Sequence, residues 1–100
     1  MEVEYDAVER VLQLSRPDLL LLISISPHEL VLLAGAKTAE WKQRLAITAG
    51  SLLGVPCHWC RGDELNTVLL LVGPDDETWR VALTLPGAVV DRIVTVAEPH

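Results

Sequence analysis

Ser26-Pro27-His28-Glu29-Leu30-Val31-Leu32-Leu33-Ala34-Gly35 is the stretch whose reading decides the fold. Its first four residues have the form of a capping box. The serine hydroxyl can accept an otherwise unpaired amide of the first turn, and the glutamate can reach back to the serine amide. Proline suits the first helical position, where its missing N–H would have no partner anyway. The reading adopted is a helix through Leu30 to Ala34, closed by Gly35. Its rival is a tight turn at Pro27 followed by a strand over 30–34, because so short an apolar run has no diagnostic period.

Working outward, Leu19-Leu20-Leu21-Leu22-Ile23-Ser24-Ile25-Ser26 is apolar at both alternating positions. That pattern predicts a strand buried on both faces, central in its sheet. Residues 3–14 read as a helix: Tyr5, Val8 and Leu12 share a face, Val11 widens it, and Asp6 can pair with Arg10 one turn later. Ser15-Arg16-Pro17 ends that run. Downstream, Thr38 to Leu53 reads as a second helix, with Trp41, Leu45, Thr48, Ala49, Leu52 and Leu53 as its apolar stripe and Glu40 facing Arg44 outside. Thr38 serves as N-cap and Gly54 as stop. Gly50 inside such a helix implies that another element packs closely over it.

Val55 precedes proline and is biased to extended backbone. Cys57 to Arg61 form a short strand or loop ended by Gly62-Asp63, and Val68 to Val72 form an apolar strand. After a turn at Gly73-Pro74-Asp75-Asp76-Glu77, Trp79, Val81, Leu83 and Leu85 alternate with polar or small residues, as in a strand with one face on the core. The two strands make an antiparallel hairpin. Residues 89–97, rich in valine, isoleucine and threonine, read as a third strand of the meander, with a terminal helix as the alternative.

Together these elements predict a single domain over 1–100 of the α+β class, a mixed α/β arrangement remaining open. It is a compact two-layer structure with a four- to five-stranded, largely antiparallel sheet packed against two to three helices. Under the two-strand reading of 19–34, the order of elements resembles that of the Roadblock dynein light-chain domains. That resemblance rests on element order and implies a dimerising scaffold.

Composition narrows the function classes. Half of the residues are apolar, which is much for a chain of 100 residues with so large a surface for its volume. Self-association is the simplest way to cover the surplus. Eight Lys plus Arg against 14 Asp plus Glu give a net charge of −6. The basic residues are scattered, so there is no face to neutralise phosphates, and direct nucleic-acid binding is not expected. The start, Met1-Glu2-Val3-Glu4-Tyr5-Asp6, is acidic, unlike the basic start of a signal peptide. The richest apolar region, 19–34, is interrupted by Pro27, His28 and Glu29 and is too short to span a membrane. A cytoplasmic protein without membrane contact is expected.

Cys57-His58-Trp59-Cys60 holds both cysteines and is where chemistry could lie. A redox pair needs a stabilised thiolate; Arg61 favours one, whereas Asp63 and Glu64 oppose it. A zinc site needs four ligands, and Cys57 with Cys60 supply two, His28 and His100 standing isolated. If the segment is a strand, residues 57 and 60 point to opposite faces. The preferred reading is therefore two small buried hydrophobes. No catalytic residue and no cofactor are assigned, and His28 reads as a solvent-facing residue of a first helical turn. Asp75-Asp76-Glu77 reads as a solvated turn rather than a calcium loop. Of the three tryptophans, Trp41 reads as core, while Trp59 and Trp79 are the interface candidates, since tryptophan joins a large apolar area to a polar N–H. The expected function is a non-enzymatic, small acidic protein–protein interaction or scaffold module acting as a homodimer. The alternative is a thiol-dependent redox or metal-binding protein using Cys57 and Cys60. An enzyme using His28 or His58 has nothing beyond their presence to support it.

Overall fold

Seven antiparallel strands follow one another in chain order across one sheet in the computed structural model of the protein, which describes residues 1–40, 46–75 and 77–97. They are β1 (Glu2–Asp6), β2 (Val11–Arg16), β3 (Leu19–Ser24), β4 (Ile47–Leu52), β5 (Val55–Arg61), β6 (Thr67–Val72) and β7 (Val81–Pro86). Two short helices accompany them: α1 (Pro27–Leu32), which runs on into a 3-10 turn at Leu33–Gly35, and α2 (Gly87–Ala97). The expected four to five strands and two to three helices therefore understate the sheet. No helix among the described residues is long and apolar enough to cross a membrane.

The helix expected over 3–14 is a hairpin, and Asp6 is the physical reason. Its carboxylate accepts the amides of Val8 and Glu9 at 2.9 and 3.1 Å, withdrawing them from any helical ladder and turning the chain. Arg10 then takes a left-handed backbone at φ 58°. Val3, Leu12 and Leu14 point into the core, whereas Val8, assigned to the apolar face of a helix, is exposed in the loop. The strand expected at 19–26 is β3, but it is buried on one face. Leu21 and Ile23 face the core, while Leu20 and Leu22 are 59% and 50% exposed.

The second expected helix, over 38–53, is absent from its described C-terminal part, and Arg44, expected to face Glu40, lies outside the described residues. Its C-terminal half is strand β4, while its stripe residues Trp41 and Leu45 lie outside the described residues. The close packing expected over Gly50 is present, against a strand rather than a helix. A Cβ there would stand 2.9 Å from Ile23 Cγ2 and 3.1 Å from Ile25 Cβ, and the backbone has φ +76°. Leu53 (φ 51°) and Gly54 (φ 82°) form the two-residue turn between β4 and β5, in which both central residues have positive φ. The third meander strand expected at 89–97 is α2 instead. Val89, Val90 and Ile93 fall at helical spacing and are buried, leaving Asp91, Arg92 and Thr95 in solvent. Burial of that stripe outweighs the modest helical reluctance of β-branched residues.

α1 is the helix its capping box predicted. The Ser26 hydroxyl accepts the Glu29 amide at 3.2 Å, and Glu29 Oε1 accepts the Ser26 amide at 3.2 Å. The same carboxylate reaches further: Glu29 Oε2 accepts the Gly50 amide of β4 at 2.8 Å. This contact falls at the weakest place in the sheet. β3 and β4 share a single register pair, Ser24 with Ser51, and the β4–β5 register shifts between Thr48 and Ser51. Beside the seam the Tyr5 hydroxyl donates to the Ile25 carbonyl at 2.8 Å, and the Ile25 amide donates to the Arg10 carbonyl at 2.9 Å. The helices cover one face of the sheet, where Leu30, Leu33, Val90 and Ile93 meet Leu12, Leu14, Ile23, Trp59, Leu70 and Leu85.

The Gly50 amide, followed by the Ser26 amide and hydroxyl, holds the Glu29 carboxyl below the usual carboxylate range against the opposing effect of burial. Its stabilisation is thus present above the unfolded value of about 4.3 and fades as pH falls through the lower folded value. Glu29→Gln is expected to lose about 1 kcal/mol in urea unfolding at neutral pH, with the deficit shrinking toward zero in acid. An equal deficit at both extremes would show that the charge contributes nothing. Leu53→Asn should stabilise the fold by about 0.5–1 kcal/mol, because asparagine tolerates left-handed backbone and Leu53 is 97% exposed. A lower unfolding midpoint would contradict the assigned turn.

Candidate functional site

β5 distributes the Cys57-His58-Trp59-Cys60 stretch over both faces of the sheet, because successive strand residues alternate. Cys57 and Trp59 face the core under the helices. His58 and Cys60 face the other way and are nevertheless buried. Cys57 stands opposite Val72 on β6, and Cys60 opposite Leu69. The strand therefore does not bring the two sulfurs together. Burial pushes the Cys57 thiol up to about 11, so at neutral pH the free thiol keeps its proton. Among the described residues no three His, Cys, Asp or Glu side chains gather in a way that could hold a metal ion.

Trp59 is wholly enclosed, with no exposed area to offer a partner. Its indole N–H donates to the Ala49 carbonyl at 2.9 Å. Ala49 lies within the β4 register shift and has no ladder partner on β5, so the indole satisfies a carbonyl that the bulge leaves over. Of the two tryptophan candidates, this one is a strut of the core. His58 has a comparable duty. Its Nε2 lies 3.0 Å from the Gly73 carbonyl, which can only accept, so Nε2 carries the hydrogen. In the neutral ring Nδ1 then accepts from the Thr48 hydroxyl at 2.9 Å. Both nitrogens are engaged in tying β4, β5 and the start of the 73–80 segment together. His28 is exposed in the first turn of α1, as expected for that position.

Trp79 is the interface candidate that reaches the surface, at 38% exposure. With Cys60, Leu69 and Leu71 it forms the apolar wall of an open cleft of about 380 Å³, rimmed by Glu40, Arg61 and Asp63. Arg61 pairs with Glu40 at 3.1 Å, and the Arg61 amide donates to the Ala39 carbonyl at 2.7 Å. The wall can receive an apolar group, and the rim offers charges of both signs. Asp75, in the turn before Trp79, accepts the amides of Glu77 and Thr78 at 2.8 and 2.7 Å, which lowers its carboxyl pKa. These bonds confirm a turn-forming role for that acid.

One surface escaped the sequence reading: the outer face of β1, β2 and β3. Strand register sets Glu2, Ser15 and Leu20 in one row, Glu4, Gln13 and Leu22 in the next, and Asp6, Val11 and Ser24 in the third. Three acids thus run along one side and two exposed leucines along the other, with partly buried residues of β2 between them. The signal was present in Glu2-Val3-Glu4-Tyr5-Asp6, an acid–apolar alternation of period two.

If Cys57 serves packing alone, Cys57→Ser should cost about 2 kcal/mol by burying a hydroxyl in an apolar setting, and Cys57→Ala about 1 kcal/mol. Addition of zinc or of a chelator should leave the unfolding temperature unchanged. A chelator-dependent loss of stability would restore the metal reading.

Comparison of the chain with protein-family models, with curated proteins and with solved structures returned no match, so its reading rests on its own geometry.

Proposed function

We propose that the protein is a non-enzymatic interaction module that acts as a homodimer and presents the outer face of β1–β3 to a protein partner. The observation that carries this reading is the pairing of an exposed apolar row, Leu20 and Leu22, with an acidic row, Glu2, Glu4 and Asp6, two strands away. Adjacent strands stand about 4.8 Å apart, so the two rows are separated by roughly 10 Å. That separation suits a segment with apolar residues on one side and lysine or arginine on the other. Apolar contact would supply most of the affinity, while the acids would steer a basic partner and set its orientation.

The thiol alternative finds no support in the geometry. The strand turns the two cysteines away from each other, and Cys57 is buried and protonated. A catalytic role for His58 is disfavoured as well, since both ring nitrogens are committed to structural bonds.

A photo-crosslinking residue at Gln13, in the centre of the face, tests the proposal. In cells it is expected to capture a protein through a basic, apolar segment, and Leu20→Glu with Leu22→Glu should abolish the capture while leaving thermal unfolding intact. Capture that is indifferent to both substitutions, or no capture at all, would remove this face from the function.

A further inference from the structure

The homodimer needs an interface, and the sheet ends in two edges of opposite character. β1 carries Glu2, Glu4 and Asp6, whereas β7, Val81-Ala82-Leu83-Thr84-Leu85-Pro86, has no charged residue. Charge along an edge strand discourages pairing with another chain, and an uncharged edge invites it. No described strand lies beyond β7.

Register identifies the open backbone groups. The Gly87 amide donates to the Asn66 carbonyl at 2.6 Å, and the ladder runs from Thr67 opposite Pro86 to Val72 opposite Val81. Bonded and non-bonded pairs alternate along an antiparallel ladder. Leu83 and Leu85 therefore bond to β6, while Ala82, Thr84 and Pro86 turn their backbone groups outward. Pro86, with no amide to donate, sits at an outward position. Ala82 and Thr84 are exposed, and the amide and carbonyl of each face away from the sheet.

We infer that β7 pairs antiparallel with β7 of a second copy, about a two-fold axis at Leu83. This inference rests on the self-association proposed above and names its surface. Continuity of the two faces requires each residue to meet one of the same parity. Centring on Leu83 sets Val81 opposite Leu85 of the second copy and Ala82 opposite its Thr84. The outward amides and carbonyls of Ala82 and Thr84 then close four hydrogen bonds across the axis. Centring on Thr84 would instead oppose Ala82 to the proline, which has no amide. In the Leu83-centred register no like charges face each other, since Arg80 meets Pro86 and the acidic edge β1 is not used. Val81, 39% exposed on the core-side row, would be covered by Leu85 of the second copy. Trp79 stands at the rim of the joint.

Sedimentation equilibrium on the intact protein, across the micromolar range, tests this together with Thr84→Pro and Ala82→Lys. An outward edge position tolerates proline, as Pro86 shows, so Thr84→Pro removes the joining amide without disturbing β6. Ala82→Lys, on the outer surface of the strand, carries the test should the proline variant fail to fold. The expected result is a wild-type dimer whose dissociation constant rises about tenfold or more in each folded variant. Mild oxidation of Leu83→Cys should link two copies through the introduced thiols, identified by mass spectrometry, since two-fold symmetry sets them opposite each other. A dimer of unchanged strength in the folded variants, with no such link, would overturn the β7 joint and leave self-association standing. A wild-type protein that stays monomeric throughout would overturn both.

Discussion

The carboxylate of Glu29 reinforces a junction that the sheet makes through a single register pair. One oxygen closes the capping box on Ser26 and so fixes where α1 begins. The other takes the Gly50 amide, where the β4 backbone bulges and β3 and β4 share one register pair. Without that bond, β3 and β4 would meet through the Ser24–Ser51 pair and side-chain packing. Gly50 is bound into the same arrangement from both directions. It supplies the amide, and its lack of a Cβ lets β4 lie against Ile23 and Ile25. A carboxylate that accepts several amides is among the stronger polar contacts a small domain can make.

The residues most suggestive of chemistry turn out to be fastenings of this frame. Trp59 satisfies the carbonyl that the bulge leaves over, His58 ties two strands to the segment that leaves β6, and Cys57 fills core volume. The buried ring nitrogens of His58 and Trp59 are hydrogen-bonded, and side chains of this kind help to specify one packing. What the fold leaves open is apolar and acidic surface: an outer face with leucines on one side and acids on the other, and an edge strand without charge. They lie on different parts of the sheet, so the self-association and the partner binding proposed above would not compete.

Features set by local chemistry were legible in the sequence. The capping box at 26–29, the strand at Leu19, the hairpin of β6 and β7 and the close approach at Gly50 all follow from a few neighbouring residues. Three elements were misread for a common reason: apolar residues at spacings that suit both helix and strand. In 3–14 the Tyr5, Val8 and Leu12 spacing masked the simpler alternation of Glu2 to Asp6, and the Asp6 side chain decided for the turn. In 38–53 the described C-terminal part of the apparent stripe lies in β4, and positive φ at Gly50 and Leu53 excludes a helix there. In 89–97 β-branched residues suggested a strand, but Val89, Val90 and Ile93 already had helical spacing. Of the site, the opposition of the two cysteines was foreseeable once a strand was allowed at 57–60. The enclosure of Trp59 was not, since it depends on residues far apart in the chain, in α1, α2 and several strands, packing into one core.

The seam between β3 and β4 is the most direct place to test whether the Glu29 contact holds the two parts of the sheet together. Native-state hydrogen exchange of the Gly50 amide measures it bond by bond. If the carboxylate secures the seam, that amide exchanges as slowly as those of Trp59 and Leu70 in the central strands, through global unfolding. Exchange as fast as at the exposed Leu53 turn would show that the seam opens on its own and that the clasp does not bind the sheet into one unit.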